Sequence, residues 1–123
     1  MQDVVLGFSR AVAELGQVID RLDRRQIDAF VAAIARTRRV FLIGAGREGL
    51  ATRAFAMRLV HLGRDAYWIW DDTTPGIGPG DLLIATSGSG AIGHIDYVFD
   101  QAVAAGADTA VVTGDPSGVT AKK

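Results

Sequence analysis

Val5, Phe8, Val12, Leu15, Ile19 and Leu22 recur at steps of three and four. That spacing puts them on one face of a helix over about residues 3 to 22. Asp3, Arg10, Glu14 and Gln17 lie largely off the face. The same rhythm suits a helix–helix seam, within the chain or with a partner chain. Asp23, with Gln26 three residues on, reads as the N-cap of a second helix reaching about Ala35. Ile27, Phe30, Val31 and Ile34 form its apolar stripe. The basic run from Arg36 to Arg39, broken only by Thr37, reads as a favourable helix end.

Beyond this point the period changes. Arg39-Val40-Phe41-Leu42-Ile43 is an apolar run without polar alternation, as in a strand buried on both faces of a parallel sheet. A glycine loop and a helix over about residues 48 to 62 follow. That helix carries two stripes, one of Leu50, Ala54, Met57 and His61, the other of Phe55, Leu59 and Leu62. One side suits the sheet and the other a further helix or subunit. Strands are predicted at Asp65–Trp70, Leu82–Thr86 and Thr109–Thr113. A loop spans residues 71–80, and a last helix is expected from Ala91 to a C-terminal glycine at Gly106. Strands alternating with helices predict an α/β, three-layer, doubly wound parallel sheet of flavodoxin- or Rossmann-like type, with N-terminal helices. All 123 residues read as one domain, without internal repeat or linker.

Composition narrows the partners. The formal net charge of -1 gives no field to attract nucleic acid or an acidic membrane. There are no cysteines, and His61 and His94 stand in no metal-ligand spacing. No apolar run approaches a membrane span, and no leader pattern is visible at the N-terminus. A cytoplasmic location is the default expectation.

The chemistry points to two loops at the C-terminal ends of strands, where ligands of such sheets bind. Ser87-Gly88-Ser89-Gly90 follows a buried strand and precedes a helix. Glycines allow close approach, hydroxyls donate, and a helix N-terminus adds free N–H groups, a combination suited to phosphate. The plain alternative is a strand-to-helix turn that binds nothing. Gly44-Ala45-Gly46-Arg47-Glu48-Gly49 matches the dinucleotide pattern G-x-G-x-x-G, with Asp71 or Asp72 as candidate ribose ligand. The large charged side chains of Arg47 and Glu48 argue against a pyrophosphate there. Asp71 and Asp72 also suit a turn, Arg47 a plain surface, His61 a core position, and His94 a solvent-facing helix position. Trp68 and Trp70 suit core or interface better than a sugar platform.

Val40–Arg47, the Ala-Phe-Ala-Met-Arg-Leu-Val-His-Leu-Gly block (54–63), and the stretch 73–90 ending in Ala-Thr-Ser-Gly-Ser-Gly together resemble the sugar isomerase (SIS) domain family. The resemblance is to its 6-phospho-3-hexuloisomerase branch and runs from about residue 4 to residue 121. It implies a five-stranded parallel sheet, a homodimer or homotetramer, and a phosphorylated sugar as partner. It also implies interconversion of hex-3-ulose 6-phosphate and fructose 6-phosphate, with no metal and no nucleotide cofactor. Matched residue by residue, it implies phosphate binding by Ser87, Gly88, Ser89 and Gly90. It implies substrate or phosphate contacts at Gly44, Gly46 and Arg47, and a place for His61 near the active site of a neighbouring subunit. The chain departs from the pattern at Ala91 and Ile92, where the family has an acidic residue and threonine. It departs again at Glu48, where the family has serine. The family's fifth strand and C-terminal helix, with a glutamate implied as base, are expected beyond the fourth strand and are not among these residues. Glu48 is then the candidate stand-in base, beside the plainer reading of a solvated first-turn acid that suits the helix dipole, and His61 and Arg47 complete the candidate catalytic set. Three functions follow as expectations: a phosphosugar isomerase, a non-catalytic phosphosugar-binding module, and an NAD-binding module.

Overall fold

The computed structural model describes residues 2–123. The chain forms two compact units, one up to Ala32 and one from Ala33 to Lys123. In the first, α1 (Gln2–Asp20) carries the apolar stripe seen in the sequence, with no buried residue along it. Phe8 and Val12 are 69% and 71% exposed. Asp23 caps α2 (Arg24–Arg36): its Oδ1 accepts the Arg25 N–H at 2.8 Å. One of the free donors of the first turn is satisfied in this way.

The second unit holds β1 (Arg39–Ile43), α3 (Gly46–His61), β2 (Ala66–Trp68), β3 (Asp81–Thr86), α4 (Gly93–Ala104) and β4 (Asp108–Val112). All four strands are parallel, in the order β2-β1-β3-β4. The alternation of strands and helices therefore gave the fold class correctly. The four strands are those the apolar runs predict, and the fifth that the resemblance implies has no counterpart among the described residues. Val40 to Ile43 and Leu82 to Ala85 are essentially inaccessible, as strands covered on both faces must be. On one face Phe41, Ile43, Leu83 and Ala85 pack with Ile95, Phe99 and Ala102 of α4. On the other, α3 lies against the sheet through Gly49, Thr52, Ala56 and Leu59.

Several expectations shift. α4 begins at Gly93, not Ala91, because Ile92 keeps an extended backbone as N-cap. β2 ends at Trp68, two residues early, where the chain turns and Asp71 N–H reaches back to the Trp68 carbonyl. Of the two predicted stripes on α3, only Leu59 is buried. Leu50 and Leu62 are both 74% exposed, and the sheet-facing row includes Gly49 and Thr52. A small residue lets helix and strand approach, so closeness rather than apolarity selected it. Gly63 and Gly106, at φ +84° and +83°, end α3 and α4 in left-handed turns. In each, two N–H groups return to the last helical turn, from Gly63 and Arg64 and from Gly106 and Ala107.

The basic run does more than end a helix. Arg39 grips Asp81 through Nε at 3.0 Å and Nη2 at 2.6 Å. Arg38 adds a bond at 3.4 Å, and Gly78 N–H donates at 2.9 Å. Arg39 above all, with the Gly78 N–H and the Arg38 charge, holds the Asp81 carboxyl below the usual carboxylate range despite its complete burial.

Candidate functional site

β1 and β3 are neighbours, and the connections that follow them run to opposite faces of the sheet, α3 to one and α4 to the other. Their loops, 44–49 and 87–90, therefore open a crevice at the C-terminal edge where the winding reverses. The fold brings together Gly44, Gly46, Arg47, Glu48, Ser87, Gly88, Ser89 and Gly90 of the candidate set.

The first loop is held by contact between glycines. A Cβ on Gly44 would collide with Thr86 Oγ1 and stand 3.0 Å from Gly49 Cα. A Cβ on Gly49 would lie 2.8 Å from the Gly44 carbonyl oxygen. Gly44 and Gly49 thus let the start of α3 press onto the sheet, whereas Gly46, at φ +57° with open space around it, faces outward. Beneath them the Thr52 and Thr86 hydroxyls are 2.6 Å apart, and Thr52 also donates to the Glu48 carbonyl at 2.6 Å. Neither threonine stands out in the sequence. They fill the space that the glycines leave.

The second loop is braced from inside. Ser87 is fully buried, and its Oγ accepts the Gly90 N–H at 3.1 Å. Exposed Ser89 accepts the Ala91 N–H at 3.2 Å. Each hydroxyl keeps its own proton to donate. Gly90 takes φ +67°, and a Cβ there would stand 3.0 Å from Gly118 Cα, so the turn after β4 closes against the loop. That turn bonds the loop at both ends: Gly114 N–H donates to Gly88 and Thr120 N–H to Gly90. Asp115 folds the turn by accepting the Ser117 hydroxyl and N–H, which hold its carboxyl below the usual range. Nothing in the sequence indicates that the turn from Gly114 to Gly118 supports the 87–90 loop.

Glu48 and Arg47 stand in the first turn of α3. The Glu48 Oε2 accepts the Gly88 N–H at 2.9 Å, so the two loops are joined by a carboxylate. Arg47 is exposed and joins none of the ion pairs among the described residues. His61 is the last residue of the same helix, about 22 Å along its axis from Gly46 at ordinary helical rise. Within one chain it is therefore remote from the crevice. His94 sits near the edge with its ring 6.0 Å from that of Trp70. The dinucleotide reading gains nothing here: Asp71, one of its two candidate ribose ligands, lies 3.5 Å from Arg53 of α3 in an exposed pair. Among the described residues, no three His, Asp or Glu side chains converge as a metal site, and no helix is long and apolar enough to cross a membrane.

No family model matches the chain. A Mycobacterium gastri protein named 3-hexulose-6-phosphate isomerase is 37% identical over 114 residues, 93% of this chain and 57% of that one. A crystal structure of a hypothetical protein superposes with a TM-score of 0.90 at 34% identity, over 96% of this chain and 63% of that chain. A Methanococcus jannaschii structure, from which a 3-hexulose-6-phosphate isomerase function was inferred, gives a TM-score of 0.77 at 31% identity. It covers 80% of this chain and 55% of that chain. The chain spans about half the length of the curated relatives it matches. Likeness in sequence and in fold converges on one conclusion: the chain belongs to the sugar isomerase (SIS) domain family.

Proposed function

We propose that this chain, read as one phosphosugar-binding domain over 1–123, serves the interconversion of a hex-3-ulose 6-phosphate and fructose 6-phosphate. The observation that carries the reading is the placement of the 44–49 and 87–90 loops, from adjacent strands, at one crevice where the winding of the sheet reverses. Names among the relatives support the same substrate class.

The reaction moves a carbonyl between C3 and C2. A base removes the proton alpha to the carbonyl, a cis-enediol forms, and the proton returns to the neighbouring carbon. A phosphate held away from the reacting carbons fixes their position. Ser89, the backbone at Gly88 and Gly90, and the loop that Ser87 braces form the phosphate cradle. Arg47 stabilises the developing oxyanion or the phosphate. Glu48 is the carboxylate that this edge offers as base. Gly44 and Gly46 shape the approach. His61 acts in the crevice of a neighbouring copy, as a proton carrier between hydroxyls. The reading needs a homodimer or homotetramer, and the exposed apolar faces of α1 and α3 support one. It uses neither metal nor nucleotide cofactor, and it sets the protein in the cytoplasm, with no nucleic-acid or membrane partner.

A second reading, a phosphosugar-binding module without turnover, is favoured by Glu48 itself, which stands on the N–H that a phosphate would take. A thermal-shift titration with fructose 6-phosphate, against NAD and unphosphorylated fructose, tests the site. A rise with fructose 6-phosphate alone supports it, and a rise with NAD alone overturns it. An isomerase assay on Arg47→Ala, His61→Ala and Ser89→Ala then separates the two readings. Turnover lost in all three supports the enzyme, and binding without turnover in the unaltered chain supports the module.

A further inference from the structure

Glu48 is exposed and sits in the first turn of α3, yet its carboxylate crosses to the other loop. Oε2 accepts the Gly88 N–H at 2.9 Å. Oε1 lies so near Gly88 that a Cβ there would collide with it, so only glycine leaves room for this carboxylate. Glu48 takes part in none of the ion pairs among the described residues. A backbone N–H offered in a strand-to-helix loop attracts anions. Here the anion that answers it belongs to the protein.

We propose that Glu48 is the resident occupant of the anion cradle and competes with its ligand: a phosphomonoester gains the Gly88 N–H only as Glu48 leaves it. The proposal rests on the phosphosugar reading above. A phosphomonoester carries about 1.5 to 2 negative charges at neutral pH, so the two anions exclude one another at hydrogen-bonding range. Glu48 can yield by rotating its own side chain, since it is exposed and no cation holds it. Its presence weakens binding of every phosphomonoester by a similar factor and leaves unphosphorylated sugars unaffected.

The test is calorimetric titration of the full chain with fructose 6-phosphate, for the unaltered protein, Glu48→Gln and Glu48→Ala. Glutamine keeps the length and removes the charge; alanine removes the occupant. Both variants are expected to bind at least about tenfold tighter at low salt, a step of about 1.4 kcal/mol. The advantage of Glu48→Gln narrows as salt screens the repulsion, and none of the three binds fructose. Equal or weaker binding by both variants, with the unaltered protein still binding, overturns the role of Glu48 and leaves the phosphosugar reading in place. No binding by any of the three, each melting near the unaltered temperature, overturns the loop reading and this proposal together.

Discussion

At both edges of the sheet a carboxylate spans the gap between β1 and β3, and the two crossings are built for different ends. At the N-terminal edge Asp81 is completely buried and takes bonds from Arg39, Arg38 and the Gly78 N–H. The Thr37 hydroxyl and the Arg38 N–H close the same edge onto the Gly80 carbonyl. At the C-terminal edge Glu48 is exposed and has one backbone N–H. A buried charge with several partners cannot leave without stranding them. An exposed charge with one weakly held partner can. One edge is fastened by several buried bonds, and the other, the edge at which ligands of doubly wound sheets bind, is joined by a single exposed one.

The contrast breaks most readily at Asp81. Asp81→Ala leaves the Arg39 guanidinium without its partner and is expected to cost about 3 to 5 kcal/mol, read as a fall in the urea midpoint. Gly44→Ala should come next, at about 1 to 3 kcal/mol, because the new Cβ meets Thr86 and the backbone of Gly49. Thr52→Val removes one partner from the hydroxyl pair under the loop and should cost about 1 to 2 kcal/mol. The double variant Thr52→Val, Thr86→Val should cost less than the sum of the singles, since no hydroxyl is then left alone. The pH profile sharpens the comparison further. Asp81 has a folded pKa below its unfolded one, so its contribution is fully present above about pH 4 and is lost as pH falls toward the depressed value. Asp81→Asn should therefore flatten the acid limb of midpoint against pH, and an unchanged limb would remove Asp81 from the account. Smallest of all, Glu48→Gln should move the midpoint by no more than about 0.5 kcal/mol, as at other exposed positions.

Much of this architecture is legible in the chain. Val40–Ile43 and Leu82–Ala85 are apolar without alternation, and both are buried on two faces as that pattern requires. Gly106 ends α4 where its helical pattern stops. The sheet-facing row of α3 is less legible, because Gly49 suits the position by its small volume and Thr52 by a hydroxyl partner, Thr86, on the sheet face beneath. A hydrophobic stripe search passes over both. Asp81 is hidden for a similar reason: a buried ion pair joins residues far apart in sequence, and the basic run at Arg36–Arg39 reads locally as a helix end. At the site, the loops and their residues are visible as motifs. The contact of Glu48 with Gly88 is not, since it depends on the adjacency of β1 and β3, which only the strand order supplies.

That strand order also sets a schedule. Val40 lies between Ala66 and Leu82, and the second of these is synthesised roughly forty residues after Val40 itself. At about 5 to 20 residues per second, the apolar β1 strand waits some seconds for its central neighbour. During that interval only the short β2 can pair with it. The most apolar stretch of the unit, Val40–Ile43, is therefore also the strand that waits longest for its sheet neighbours.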